Sequence, residues 1–368
     1  MLDHDLDAAV TAGVIGREQA DALRAFQRAR HGGAPAGTAL EADEEKFRIL
    51  GGFNDILVAI GLLLLIAALF SASAVIASGL VIAILAAVMA WGLAELFTRR
   101  LRLALPAIIL AVMFVGAVVW LAVIAISGTA DDPTARALAA VAGAGAVAAG
   151  LHYARFRVPI DVALAMCGLV ALVISLLLAA FPDLARRLIF AITLAAGLGV
   201  FALAMRFDLA DPLRRSRNAD TAFWLHLVAA PLIVHSVVAG LFGGESLRGS
   251  VLFALFADEA GSLIHLDGAQ LALAILAIVV VLFIVALVID RRALLVSGLT
   301  YAGYSLWVLF HDLAWRDGIT LPATLFALAL LVLGVSAGWS GLRATIVPLF
   351  PLGRWRASLP PLRQRTRP

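Results

Sequence analysis

Two stretches of this sequence set hydrogen-bonding and ionisable side chains at helical spacing within apolar surroundings. The first runs Asp220-Thr-Ala-Phe-Trp-Leu-His-Leu-Val-Ala-Ala-Pro-Leu-Ile-Val-His235. At about 100° per residue, Asp220, Trp224, Pro231 and His235 share one narrow sector, while His226 falls on the other side. Proline leaves a carbonyl of the preceding turn without its donor, and broken helices of this kind form binding positions in transporters. In the second stretch Ser297, Thr300, Tyr304, Trp307 and His311 occupy an arc of roughly 80°, with Asp312 following. That many polar groups facing lipid would be costly, so the stripe is expected to face protein or water. The two stripes together imply an outward-opening cavity that admits a small or amphiphilic ligand. The competing reading is structural: a proline kink, with histidines hydrogen-bonded between packed helices.

Other polar positions carry less. Asn54, Asp55 and Glu95 sit at the ends of an expected hairpin and are within reach of one another or of nearby arginines. Asp161 follows Pro159 close to Arg155 and Arg157, where local salt bridging accounts for it. Gly143-Ala-Gly-Ala-Val-Ala-Ala-Gly150 offers small residues for close helix contact. The segments Arg102-Leu-Ala-Leu-Pro106 and Arg155-Phe-Arg-Val-Pro159 echo one another, and shared helix-start physics explains the echo without duplication. No dinucleotide fingerprint, phosphate-binding loop, paired-histidine zinc motif or nucleophile elbow stands in a suitable context. No catalytic residue and no cofactor is therefore assigned. Metal binding stays open, although the single cysteine, Cys167, excludes a paired-cysteine site.

The elements that hold these residues follow from composition. Of 368 residues, 63% are hydrophobic and 14% charged, and the mean hydropathy is +1.02. A soluble domain carries about 25% charged residues, so a water-soluble globule could not cover its surface with this chain. The apolar residues come in blocks of about 20, the length that crosses roughly 30 Å of hydrocarbon as helix. The blocks do not alternate as barrel strands do. The expected fold is all-α: a polytopic membrane bundle of about ten helices, spanning roughly 54–72, 75–97, 103–126, 134–153, 158–180, 186–205, 221–242, 269–289, 293–311 and 320–341. Basic residues test this count independently. With the N-terminus inside, 23 of the 28 lysines and arginines fall on the inner side; only Arg136, Arg186, Arg187, Arg248 and Arg316 fall outside. Both termini are thereby expected in the cytoplasm of a bacterial inner membrane.

Four regions result. Residues 1–30 read as a short cytoplasmic helical segment, with Gly13 and Gly16 dividing two helices. Residues 31–52 form a linker and interfacial lead-in, and 53–342 the membrane domain. Its outer loop, 243–268, contains an interface-lying apolar stretch at 250–257 and the polar residues Asp258, Glu259, His265 and Asp267. The tail, 343–368, is basic and proline-rich, suited to an anionic membrane face. Expected partners are membrane lipids, especially anionic inner-leaflet lipids through the arginines, and a protein partner or second copy. Nucleic acid is not expected, for want of a recognition fold or a broad basic surface.

The N-terminal Ala9-Val-Thr-Ala-Gly-Val-Ile-Gly-Arg-Glu-Gln-Ala-Asp-Ala-Leu-Arg-Ala-Phe26 and the later Leu50-Gly-Gly-Phe-Asn-Asp-Ile-Leu57 resemble uncharacterised bacterial multi-pass membrane proteins of the DUF2157-like type. There, a short helical cytoplasmic segment precedes many spans. The resemblance implies architecture and transfers no catalytic residue. By function class, ligand binding or transport ranks first. A structural or assembly role follows, and a membrane-embedded enzyme acting on a lipid-linked substrate comes last.

Overall fold

A computed structural model describes residues 6, 10–14, 16–23, 53–75, 78–127, 134–211, 214, 216–242, 266–312, 318–351 and 353. The linker 31–52, the apolar stretch 250–257 with Asp258, Glu259 and His265, and most of the tail lie outside these residues. Two units are present, residues 1–44 and 45–368. In the first, Gly13 turns the chain at φ 70°. Helix follows over 17–23, where the Gly16 N–H donates to Gln19 Oε1 at 3.0 Å and Ala20 is buried.

The second unit holds ten helices long and apolar enough to cross a membrane, and no strand occurs among the described residues. They are α1 (Phe53–Val75), α2 (Gly79–Ala94), α3 (Ala104–Ser127), α4 (Ala135–Phe156) and α5 (Pro159–Ala180), then α6 (Ile189–Ala210), α7 (Arg217–Phe242), α8 (Gly268–Ile289), α9 (Ala293–Asp312) and α10 (Thr320–Ile346). A π-helical turn, Glu95–Arg100, prolongs α2, and a short helix, Pro182–Arg187, joins α5 to α6. The chain is thus an all-α, multi-pass membrane bundle. Every expected span is found, most within a few residues; α6 runs five residues beyond 205 to Ala210 and α10 five beyond 341 to Ile346.

Local chemistry sets the ends. Ser78, Thr134 and Asp267 cap α2, α4 and α8 by accepting from the N–H three residues on. Val158, extended because a proline follows it, sets Pro159 at the first turn of α5. Arg102, Arg157, Arg214 and Asp290 are the positive-φ non-glycine residues among those described. One lies in each turn α2–α3, α4–α5, α6–α7 and α8–α9, two or three residues before the next helix. These turns all belong to the arginine-rich end of the bundle, hereafter the basic end. A left-handed L-residue costs about 1–2 kcal/mol, so each turn needs contacts that hold it.

Small residues bring the helices together. A Cβ on Gly168 of α5 would stand 2.7 Å from the Ala146 backbone nitrogen of α4, and one on Gly145 2.9 Å from Val119 of α3. Gly197 of α6 meets Leu232 and Ile233 of α7 in the same way. Helix α7 is central, packing on α5, α6, α8 and α9, and it stays helical through Pro231. Apolar clusters fill the α7–α8 interface (Val234, Val238, Ala239, Leu271, Ile275) and the α6–α7 interface (Val200, Ala204, Leu225, Ala229).

Candidate functional site: polar networks at the basic end of the bundle

The buried ion pairs among the described residues gather at the basic end in two groups. The larger is built on the α8–α9 turn. Asp290 closes α8 in the left-handed conformation, which turns its carboxylate back across the bundle. Oδ1 accepts from the Trp339 indole at 2.8 Å. Oδ2 pairs with Arg343 at 3.2 Å and with Arg214 at 3.5 Å. Arg343 also donates to the Leu287 carbonyl at 2.9 Å, and the Arg292 guanidinium lies 5.2 Å from the Trp339 ring centroid. The next residue, Arg291, reaches Asp208 at the end of α6 through Nε, at 3.1 Å, and through Nη2, which also donates to the Ala219 carbonyl. His226 Nε2 closes the group on Asp208 Oδ2 at 2.8 Å. Arg291 and His226 are buried. One turn of two consecutive residues therefore fastens α6, α7, α8, α9 and α10.

The smaller group lies between α4 and α5. His152 Nδ1 and Asp161 Oδ2 are 2.8 Å apart, both side chains fully buried. Trp91, Phe114 and Phe156 surround the imidazole with ring centroids 4.6–6.1 Å away. The other imidazole nitrogen, Nε2, and Asp161 Oδ1 are buried without a hydrogen-bond partner. Nearby, Glu95 binds Arg155 at 2.7 Å and Arg99 at 3.1 Å. The expected salt bridge from Asp161 to Arg155 or Arg157 is thus corrected. Asp161 is taken by a histidine nine residues back, and Arg155 turns instead to the more accessible Glu95, 60 residues away.

The residues singled out by spacing are dispersed. On α7, Asp220 is half-buried and Trp224 packs against the cluster of Ala107, Ala111, Val158 and Ile160, from α3 and the start of α5. His235 does meet α9: its Nδ1 lies 3.2 Å from the hydroxyl of Tyr301, a residue outside the stripe. His226, on the other side by spacing, enters the buried ion network. On α9, Ser297 is buried and bonds its own backbone at Leu294, and Tyr304 packs against the α7–α8 cluster. Thr300, Trp307 and His311 are exposed, and Trp307 and His311 stack with centroids 5.4 Å apart. Ser297 and Tyr304 thus meet protein, while these three stand on the bundle surface. Amphipathic Trp and His near a helix end are at home at headgroup level, with the ring in the apolar layer and the polar edge in the wet one. Asp312 ends α9.

Spacing missed Asp208, Arg214, Asp290, Arg291 and Arg343. The three arginines entered only the tally of inner-side basic residues and the two aspartates entered no reading, because their partners lie up to 83 residues away. Among the described residues no three or more His, Cys, Asp or Glu side chains are grouped to hold a metal ion. Comparison with known protein families, with curated proteins and with solved structures gave no match to this chain.

Proposed function

We propose that this chain is a bacterial inner-membrane protein, both termini cytoplasmic, that binds or transports a small or amphiphilic ligand along the seam between α7 and α9. The observation that carries this reading is the asymmetry of that seam. At the basic end, Asp208, His226 and Arg291 tie α7 to α6 and to the turn that opens α9. Further along, the two helices meet where His235 Nδ1 lies 3.2 Å from the Tyr301 hydroxyl and where Tyr301 and Tyr304 pack against the α7–α8 apolar cluster. Ionisable groups within spans are costly and mark ion or substrate pathways in membrane proteins. In this reading the buried network is the cytoplasmic closure and the His235–Tyr301 level is the ligand position, reached from outside. The N-terminal resemblance given above belongs to the same proposal, as the source of a cytoplasmic helical segment.

Labelling tests it. In a Cys167→Ala background, Tyr304→Cys is exposed to a membrane-impermeant cationic thiosulfonate in right-side-out and inside-out vesicles. Reaction from the outside only, with inside reaction gained when Asp208→Asn is added, is the expected result. A cysteine at 304 that reacts from neither side, in either background, would contradict the reading.

A second reading, an assembly partner in a membrane complex, is favoured by one observation: Thr300, Trp307 and His311 are turned outward on α9. Disulfide cross-linking of Trp307→Cys between copies, or to a co-purified protein, would support it.

A further inference from the structure

Beside the π-helical turn Glu95–Arg100 lies a half-open surface cleft of about 700 Å³, lined along one helix by Gly92, Glu95, Leu96, Arg99 and Arg100. π-turns recur where a helix has been adapted for function. The Leu101 N–H bonds back five residues to the Leu96 carbonyl at 3.0 Å, and the Leu103 N–H closes the helix end on the Phe97 carbonyl at 2.9 Å. The turn widens the helix where α2 reaches the basic end.

The lining has two chemistries. One carboxylate, Glu95, faces two guanidiniums, and it is already engaged by Arg99 and, from α4, by Arg155. Arg99 and Arg100 are both exposed. The cleft therefore carries net positive charge, and an anion is the complementary guest. Below the arginines the surface is apolar. Leu85, Val88, Gly92 and Leu96 recur at helical spacing on one exposed face of α2. At Gly92 a side chain would meet nothing within 4 Å, so the missing Cβ leaves a dent in this strip. A guest that satisfies both parts has a phosphate at one end and hydrocarbon at the other.

We infer that the cleft is a binding site for one phospholipid with an anionic headgroup: its phosphate between Arg99 and Arg100, and an acyl chain along Leu96, Gly92, Val88 and Leu85. Glu95 acts as the positioning residue, holding Arg99 and Arg155 in place beside the headgroup. The inference deepens the expectation of arginine-bound inner-leaflet lipid and rests on α2 ending at the inner leaflet. Binding in detergent does not depend on sidedness, so its failure is distinguishable from a failure of topology.

The test is a titration of the full chain, purified in dodecylmaltoside, with fluorescent phosphatidylglycerol, with phosphatidylcholine in parallel and inorganic phosphate as competitor. Phosphatidylglycerol should bind preferentially and resist millimolar phosphate. Arg99→Gln with Arg100→Gln should weaken it about twenty-five-fold, at roughly fivefold per interfacial arginine. Gly92→Leu, which fills the dent at a position with open space and alters no charge, should weaken it about tenfold, on the scale of a lost apolar contact. Arg186→Gln with Arg187→Gln, at the opposite end, should leave binding unchanged. Equal affinity for phosphatidylcholine, displacement by phosphate alone, indifference to Gly92→Leu, or an equal loss in the Arg186–Arg187 control would each overturn the site. So would cross-linking of Arg100→Cys to a second copy in place of lipid protection.

Discussion

Substituting Arg291 by Gln removes the charge that balances Asp208 at the basic end. Asp208 is left with His226 at 2.8 Å as its remaining close partner in the group, while the buried Ala219 carbonyl loses a donor. Side-chain exposure is 2% for Arg291 and 14% for Asp208, so solvent does little to replace the lost contacts. Breaking a buried pair by removing one member costs about 3–5 kcal/mol, because the other charge stays behind uncompensated. Arg291→Gln is expected in that range, and so is Asp208→Asn. The double variant leaves neither charge stranded on the other's account and should cost less than the sum, with a coupling of about 2 kcal/mol. Reversible unfolding in mixed dodecyl sulfate and dodecylmaltoside micelles, run as a double-mutant cycle, measures this directly. Additivity within about 0.5 kcal/mol would show that the two residues do not act as a pair and would refute the network as the clamp of the five helix ends.

Two further predictions use the same unfolding assay. Arg157 is exposed and left-handed at φ 56°, so Arg157→Gly relieves strain and should raise stability by up to about 1 kcal/mol. Asp290→Gly relieves the same strain but removes the acceptor of Trp339, Arg343 and Arg214, and should lower stability by about 3 kcal/mol; equal signs for the two would contradict the account of these turns. Gly168→Ala forces a methyl to within 2.7 Å of the Ala146 backbone and should cost about 1–3 kcal/mol. Gly199→Ala, on open surface of α6, should be neutral or stabilising by about 0.5–1 kcal/mol, and an equal cost at both sites would count against close α4–α5 packing.

The membrane fold was legible because its cause is local. Each span announces itself in about 20 consecutive residues, and capping side chains such as Thr134 and Asp267 stand beside the first turns they hold. The end of α10 was misread for a reason of the same kind. Arg343 looks like the start of a basic tail, yet the helix continues because Asp290 and the Leu287 carbonyl satisfy its guanidinium inside the bundle. Angular spacing on α9 correctly put Trp307 and His311 on one face, where they stack. Periodicity says which residues share a face and not what that face meets, so it could not tell an outward stripe from an inward one. The ion networks were illegible because nothing local marks Asp208 as the partner of Arg291; the pairing exists only once α6 and the α8–α9 turn are brought together. The same burial qualifies the charge bias. Arg214, Arg291 and Arg343 are held by carboxylates within the bundle, so their place on the basic side has a packing cause as well as a topological one.

The most direct test of the topology proposed for this chain is sidedness. Single cysteines at Leu101, Asp183, Ile319 and Leu349, in a Cys167→Ala background, would be labelled with an impermeant maleimide in vesicles of both orientations. Leu101→Cys and Leu349→Cys should react only in inside-out vesicles, and Asp183→Cys and Ile319→Cys only in right-side-out ones. Reaction of Leu101→Cys and Asp183→Cys from the same side would contradict ten crossings with both termini in the cytoplasm.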